Sequence, residues 1–443
     1  MADPGCRPVL RRVEFHRNTA RTGAGLAVGW DASLLAEGCR AEGNVAVGIG
    51  GGFQVHDGGE LIIRGCLLRD NRASEGGGIG IGAGRIEAEA CTLLGNRADF
   101  GGAASTISGS LELHACVLRG NEATTYGGGV MATSSSLALE ACWLDSNRAE
   151  LDGGGVYAYD STIDLVEALI TRNDAGRSAE ARGGAVFCSA SLAWLRQCTL
   201  AENDGRPGAA VWTDATLPLV LERCLLAAGT GGGAVEGPPA GTSEASCCDV
   251  WGNEGGDWTG LLAGQDEADG NLSSDPLFCG AQNPAFPWSV SADSPCAPGM
   301  AGSCLWIGAG AVGCGATSVE DPPSRPGPVS RDPGTAVALT ASPNPFTGAT
   351  RIAFDLPDPA RAGVSVTIHD AAGRLLRTLA WSPDRAAGSS SRADRGALRG
   401  EVVWDGRDGS GRAAPRGIYW ARVGALPPGR AAAVRGAVPL VRR

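Results

Sequence analysis

The sequence contains no lysine, so arginine supplies all 37 of its basic side chains, against 48 acidic ones. The formal net charge is -11, and this negative charge disfavours nucleic acid and anionic membrane surfaces as partners. Aromatic residues make up only 5% of the chain, and no apolar run is long enough to cross a bilayer. We therefore expect no membrane span.

The first thirty residues hold no apolar core of the length that a secretion signal requires. The repeat described below begins at Val13, and no segment before it could cover the open end of a repeat array. We expect the sequence to be a fragment or to have a misassigned start. A signal peptide and a capping segment would then be encoded upstream.

Glycine and proline are abundant, with 69 and 25 residues, while charged residues make up 19% of the chain. So many turn formers argue against a helical bundle. The hydrophobic fraction of 43% is enough for a packed core. At roughly 150 residues per domain, the chain length allows two or three domains.

A repeat with a mean period of about 26 residues fills residues 1–255. Its unit is apolar-x-apolar-x-x-Cys-x-Leu-x-x-Asn-x-Ala, then a glycine cluster, then Val-x-apolar. The Cys position falls at Val13, Cys39, Cys66, Cys91, Cys116, Cys142, Ala168, Cys198, Cys224 and Cys248. The Asn position falls at Asn18, Asn44, Asn71, Asn96, Asn121, Asn147, Asn173, Asn203 and Asn253, and fails at Gly229.

The pattern inside the repeat predicts short strands joined by tight turns. Apolar residues alternate over three to five positions and are interrupted by Gly, Asn and Ser, which leaves no room for a helix. We therefore predict an all-β chain that begins with a right-handed parallel β-helix of about ten coils. Equivalent residues would stack about 4.8 Å apart, so a column of small hydrophobic Cys side chains packs against itself as buried free thiols.

The motif Cys-x-Leu-x-x-Asn-x-Ala followed by a glycine triplet resembles the right-handed β-helix repeats of bacterial surface proteins, including the polymorphic outer-membrane type, within the pectin-lyase-like superfold. The resemblance covers about residues 10 to 255. It implies the fold far more than an activity, because this superfold hosts lyases, hydrolases, adhesins and structural proteins.

Residues 256–315 leave the repeat and predict an irregular, cysteine-bearing cap over the last coil. Its disulfide candidates are Cys279, Cys296, Cys304 and Cys314. Four cysteines allow three connectivities, and the sequence does not choose among them. Their spacing does not match a paired CxxC zinc site, so a metal is the weaker interpretation.

Residues 316–336 are rich in proline and predict an extended linker. From residue 337 to 443 seven short alternating strands predict a small β-sandwich. The strings SPNPF from Ser342, DAAGR from Asp370 and WDGRD from Trp404, closed by Gly417-Ile418-Tyr419, resemble the FlgD-type immunoglobulin-like domain. That domain is similar to the C-terminal sorting domain of type IX secretion substrates, although the final run lacks the lysine usual in such tails. The resemblance implies an exported protein with a surface-retention, sorting or assembly module.

One outward face of the predicted β-helix is acidic. If the residues three and five before each Cys position point inward, those two and four before it point outward. This face then carries Glu87, Glu112, Glu140 and Asp164. Such residues could bind Ca²⁺ or supply an acid and base pair for polysaccharide cleavage. The structural alternative is a solvated acidic face.

Aromatic residues form a second outward set that follows the glycine corners. A strip of Trp143, Tyr157, Tyr159, Phe187 and Trp212 could stack against sugar rings. The structural alternative is that a loop, such as residues 174–183, covers these rings.

The predicted function is that of an exported bacterial cell-surface or extracellular protein without catalysis, which binds carbohydrate or a protein partner through the solenoid. It needs no cofactor or metal. The main alternative is a polysaccharide lyase or glycoside hydrolase working on the acidic face, with Ca²⁺ if it is lyase-like. The other alternative is a purely structural surface rod.

Overall fold

The computed structural model describes residues 8–176, 181–214, 216–239, 243–266, 268–284, 286–310, 312–314, 338–342, 348–356, 364–370, 375–381, 398–409, 411–414, 417–425 and 433–442. The chain divides into two compact units. The first comprises residues 1–277 and 294–310, and the second comprises residues 278–293 and 311–443.

The first unit is a parallel β-solenoid with three long sheets, each taking one strand from a coil. Sheet A holds ten strands, at Val9–Arg11, Ser33–Glu37, Glu60–Arg64, Arg85–Glu89, Ser110–His114, Ser136–Glu140, Thr162–Val166, Leu192–Arg196, Leu219–Glu222 and Ser243–Ser246. Sheet B holds ten strands, at Glu14–His16, Arg40–Glu42, Leu67–Arg69, Thr92–Leu94, Val117–Arg119, Trp143–Asp145, Leu169–Thr171, Thr199–Ala201, Leu225–Ala227 and Asp249–Trp251. The predicted β-solenoid is confirmed.

The third sheet completes each coil after a corner. Sheet C holds nine strands, at Leu26–Val28, Phe53–His56, Ile79–Gly82, Ala104–Ile107, Val130–Thr133, Val156–Tyr159, Val186–Ser189, Val211–Thr213 and Val235–Glu236. Short corner strands lie between sheets B and C, at Thr19–Ala20, Val45–Ala46, Arg97–Phe100, Glu122–Tyr126 and Arg148–Ala149. All pairings of these strands are parallel and join equivalent positions of neighbouring coils.

The core lies inside the solenoid and consists of stacked columns of identical or similar residues. The Cys column is fully enclosed, and its cysteines are free thiols, as predicted. The backbone N–H of Cys91 points at Cys116 Sγ, 3.4 Å away in the next coil, and Cys116 Sγ donates to the carbonyl of Ala88 at 3.5 Å. Burial raises the pKa of both thiols far above the usual value.

Asparagines form a second column at the turn that follows sheet B. Each side-chain Oδ1 accepts hydrogen bonds from the backbone and side-chain nitrogens of the asparagine one coil earlier, at 2.8–3.1 Å, from Asn18 to Asn203. Gly229 interrupts the column, and its backbone N–H donates to Asn253 Oδ1 at 3.0 Å instead. The column therefore satisfies buried backbone groups at a corner where the regular ladder stops.

The glycine clusters mark the corner that leads into sheet C. At Gly153 the backbone has φ of +72°, and an added Cβ would lie 2.6 Å from the carbonyl oxygen of Val156. Only glycine fits such a position without a backbone shift.

Residues beyond the last coil are irregular. The first unit has short 3₁₀ turns at Gly260–Leu262 and Gly302–Cys304 and a disulfide between Cys247 and Cys304. The second unit begins with a 3₁₀ turn at Gly280–Gln282 and the paired strands Val290–Ser291 and Val312–Cys314, held by a disulfide between Cys279 and Cys314.

The second unit ends in two antiparallel sheets. One comprises Ala338–Ser342, Thr350–Leu356 and Leu398–Trp404, and the other comprises Val364–Asp370, Leu375–Trp381, Gly417–Ala425 and Ala433–Arg442. All seven predicted strands are present. Trp404 is fully buried and meets Tyr419 edge-on, with ring centroids 5.0 Å apart. The linker 316–336 lies outside the described residues.

Candidate functional site

The predicted acidic face lies on the outer side of sheet A. Glu87 stands in register with Glu112, and two coils further Asp164 occupies the same column beyond Ala138. Glu140 belongs to the neighbouring outward column, where it stands in register with His114. The four predicted acids therefore occupy two columns.

Three of these carboxylates are engaged by basic groups of other coils. Arg85 Nη2 donates to Glu112 at 2.8 Å, and Arg196 Nη2 donates to both oxygens of Asp164 at 2.8 and 2.7 Å. His114 Nδ1 lies 3.0 Å from Glu140 Oε2. On this face Glu112, Glu140 and Asp164 are thus each in contact with a basic side chain of another coil. Among the described residues no group of three or more His, Cys, Asp or Glu is arranged to hold a metal ion.

Four aromatic rings stack on the outer side of sheet C and its adjoining corner. Tyr126 and Tyr157 have centroids 4.6 Å apart, and Tyr157 and Phe187 have centroids 4.8 Å apart with planes only 3° from parallel. Trp212 continues the stack, 4.8 Å from Phe187. The coil spacing is close to the stacking distance of rings, so the rings pack face to face against one another along the solenoid. Burial raises the pKa of Tyr157 to about 12.

Arg182 covers this stack from outside. Its guanidinium lies 4.8 Å from the ring centroid of Phe187 and 4.4 Å from that of Trp212. Its Nε and Nη2 donate to the two oxygens of Asp152 at 3.0 and 2.8 Å, and Asp152 is only 4% exposed. Phe187 is 3% exposed, which corrects its assignment as a ligand-binding residue. Arg182, from the 174–183 segment, thus covers the Phe187 and Trp212 end of the stack, while Tyr126, Tyr157 and Trp212 remain partly exposed.

The remaining predicted aromatics are separated from each other. Tyr159 is 48% exposed and projects from sheet C beside the stack. Trp143 lies on sheet B, so it does not join the strip that the sequence predicted. Its Nε1 donates to Thr171 Oγ1 at 3.1 Å, and Arg119 lies 5.1 Å from its ring centroid.

Asp145, on the same strand of sheet B as Trp143, is a fully enclosed carboxylate. Asp145 accepts from Arg119 Nε at 2.7 Å and from Arg172 Nε and Nη2 at 2.8–2.9 Å. Since Asp145 has no exposed surface while both arginines remain nearly half exposed, the arginines shield the charge from water. This ion-pair cluster links three successive coils, so its role is structural.

Sequence reasoning missed a groove at the corner between sheets B and C, which we name the corner groove. Its volume is about 540 Å³, and its base is formed by Ala46, Ala73 and Ala98, each 4–6% exposed. These alanines follow the Asn column by two residues, so the repeat motif itself places them in line. The residues on either side of each alanine vary from coil to coil, while the alanine itself recurs. This constant alanine between variable neighbours was the sequence signal that could have revealed the corner groove.

Two polar columns border the corner groove. Arg72 and Arg97 lie on one side, and Arg97 Nε forms an ion pair with Glu122 at 2.9 Å. On the other side Ser74 and Thr124 lie one coil before and one coil after Asp99. Their hydroxyls donate to the two oxygens of Asp99 at 3.1 and 2.9 Å. Val45 and Val47, exposed by 40% and 74%, complete the lining at the N-terminal end.

The cysteines after the solenoid pair differently from the expectation. The candidates Cys279, Cys304 and Cys314 are in disulfides, but Cys304 bonds to Cys247, which lies outside the predicted set. Cys296 was wrongly predicted, because it is a free thiol that donates to Asp249 Oδ2 at 3.0 Å. Cys247 was missed because it precedes the inward Cys248 and occupies the left-handed corner position, with φ of +53°.

Residues 340–427 match the family model of the FlgD Ig-like domain. This match confirms the resemblance that the C-terminal strings suggested. Searches of curated proteins and of solved structures gave no significant match. Within the described residues no helix is both long and apolar enough to cross a membrane.

Proposed function

We propose that this chain, a parallel β-solenoid followed by an FlgD Ig-like domain, is an exported, non-catalytic binding protein of the bacterial cell surface or surroundings. The solenoid binds carbohydrate or a protein partner, and the Ig-like domain serves surface sorting or assembly. The observation that carries the proposed export is the pair of disulfides, Cys247–Cys304 and Cys279–Cys314. Disulfides persist in oxidising compartments and are rare in the cytosol of ordinary bacteria.

The absence of catalysis is supported by how the acidic residues are used. A glycosidase needs two carboxyl groups that face one sugar, with one of them able to give up a proton. Here Glu112 and Asp164 are held by arginines, and Glu140 by a histidine, each from another coil. A substrate would have to compete with these basic side chains for the carboxylates.

The test is incubation of the purified chain with a panel of neutral and acidic polysaccharides, with and without Ca²⁺. Unsaturated products and new reducing ends report turnover, and retention of the chain on each immobilised polymer reports binding. The proposal predicts retention without turnover. A Ca²⁺-dependent product that disappears in Glu112→Gln or Asp164→Asn would establish the lyase or hydrolase alternative instead.

A protein partner is tested in parallel, with the same chain immobilised and surface extracts of a bacterium passed over it. A specific partner that is identified by sequence and bound again in pure form would keep the proposal and replace carbohydrate as the ligand. The purely structural rod would be favoured if neither polymers nor proteins are retained.

A further inference from the structure

Resting on the proposed function, we infer that the corner groove is the binding site for a neutral polysaccharide chain that lies along the solenoid axis. The corner groove is distinct from both surfaces that the sequence singled out. On the acidic face Glu112 and Asp164 are paired with arginines, and in the aromatic stack Arg182 lies over Phe187 and Trp212. The corner groove has an open volume of about 540 Å³, within the usual range for ligand sites.

The charge of the lining selects the ligand class. The lining holds two arginines, Arg72 and Arg97, and two carboxylates, Asp99 and Glu122, so the formal charges of the corner groove cancel. The carboxylates would repel a polyanion, and the guanidinium groups would repel a polycation. A neutral ligand is repelled by neither.

The polar groups of the lining suit hydroxyls. A sugar hydroxyl both donates and accepts, and it is best held between a donor such as a guanidinium and an acceptor such as a carboxylate. Asp99 keeps acceptor capacity beyond the hydroxyls of Ser74 and Thr124, because a carboxylate offers about four lone-pair sites. Of the carboxylates that the structure describes, none forms an ion pair with Arg72, so its donors are available to a ligand.

The geometry of the corner groove favours a periodic ligand. In three successive coils a pair of polar residues flanks the alanine base, with about 4.8 Å between coils, and the pairs are Arg72 and Ser74, Arg97 and Asp99, and Glu122 and Thr124. The C–H faces of sugar rings would lie on Ala46, Ala73 and Ala98, with the hydroxyls directed to the sides.

An extended polypeptide fits this corner less well. The backbone groups along it are already paired between coils, for example Ala46 N–H with the carbonyl of Arg72 at 2.8 Å and Ala73 N–H with that of Arg97 at 3.1 Å. A peptide strand would find no unpaired backbone N–H or C=O groups with which to extend a sheet there, so a ligand must be recognised by side chains. This favours a ligand that side chains alone recognise.

The experiment compares three forms of the full chain by affinity electrophoresis and calorimetry. The probes are dextran, amylose, laminarin and galactomannan as neutral polymers, and polygalacturonate and alginate as acidic ones. The groove variant is Arg72→Ala with Asp99→Ala. The matched control is Arg148→Ala with Glu150→Ala, which removes one basic and one acidic exposed residue from the same two columns outside the groove lining.

We expect the wild type and the control to bind at least one neutral polymer, the groove variant to bind it at least about tenfold more weakly, and raised salt to have little effect. Thermal midpoints of all three forms verify folding. Undiminished binding by the groove variant would overturn this inference and leave the proposed function standing. Binding of acidic polymers alone would overturn it too. No binding of any polymer or protein would overturn both.

Discussion

Asn96 and Asn121 are joined by two hydrogen bonds that end on one atom. Oδ1 of Asn121 accepts the backbone N–H of Asn96 at 2.9 Å and its side-chain Nδ2 at 3.1 Å. The Nδ2 of Asn121 in turn donates to the carbonyl of Leu93 at 3.1 Å, and both asparagines are fully buried. One side chain therefore satisfies three buried groups of the preceding coil.

Asn121→Ala leaves these groups unsatisfied in a site without water access. We expect the free energy of unfolding to fall by about 2–4 kcal/mol, as for other losses of a buried hydrogen-bond network. Denaturant unfolding of the full chain measures the change. The control is the adjacent, exposed Glu122→Ala, for which we expect less than about 1 kcal/mol. Equal effects of the two substitutions would contradict the role of the Asn column.

Arg182 and Asp152 test the closure of the aromatic stack. Arg182→Ala leaves a nearly buried carboxylate unpaired and uncovers Phe187, so we expect a loss of about 2–3 kcal/mol. The double variant Arg182→Ala, Asp152→Ala should be less destabilised than the single one, because no charge is left unpaired. Arg148→Ala, which breaks an exposed pair with Asp174 at 3.6 Å, is the matched control and should cost less than about 1 kcal/mol.

The same variant decides whether the aromatic stack binds sugar once it is uncovered. If the rings serve mainly to pack against one another, Arg182→Ala gains no retention on polysaccharide. A clear gain on neutral polymers, measured by the same affinity electrophoresis, would restore the aromatic strip as a ligand surface and make Arg182 its gate.

Asp249 gives the solenoid end a predictable dependence on pH. Burial raises the pKa of its carboxyl, and the nearby Asp257 and Asp275 add to this effect, against the Cys296 thiol and the Ser274 N–H that favour the ionised form. A raised pKa means that the folded state prefers the proton, so this group's contribution to stability falls as pH rises above about 4. The stability of the wild type relative to Asp249→Asn should therefore decrease between pH 4 and pH 7. The measurement is the thermal midpoint of both proteins across this range. The prediction is contradicted if the wild-type midpoint minus the Asp249→Asn midpoint stays constant or rises from pH 4 to pH 7.

The thiols of the Cys column should not react with alkylating reagents while the solenoid is folded. Cys91, Cys116 and Cys142 are at most 1% exposed, and burial raises the pKa of the first two. Because the thiolate is the reactive form, iodoacetamide should label these residues only after denaturation. Peptide mapping by mass spectrometry reads out the labels. Labelling in the native state at the rate of the denatured chain would show that the column is open.

The sequence predicted the parts of this molecule that depend on repetition. The Cys and Asn columns predicted the register of the coils, since a residue type that recurs at one position must stack on itself. The seven short strands from residue 337 onward were likewise predicted, because each alternates and ends at a turn signal. Local patterns of this kind need no knowledge of side-chain conformation.

The ion pairs, the Cys247–Cys304 disulfide and the corner groove were not predicted. They depend on which of several neighbouring residues a side chain contacts in the folded protein. Arg85 bonds to Glu112 one coil later, and nothing in the spacing distinguishes this partner from another acid within reach. Cys247 and Cys248 are adjacent, and only the corner conformation of Cys247 directs it outward to Cys304. The corner groove was missed because its lining is assembled from several successive coils.

Export is the central claim, and the state of the cysteines in the native cell tests it most directly. Cells would be fractionated after rapid alkylation of free thiols, and the chain mapped by non-reducing mass spectrometry. The account predicts that the chain is recovered in the surface or extracellular fraction with Cys247–Cys304 and Cys279–Cys314 oxidised and Cys296 alkylated after denaturation. Recovery in the cytoplasm with all of these cysteines reduced would contradict it.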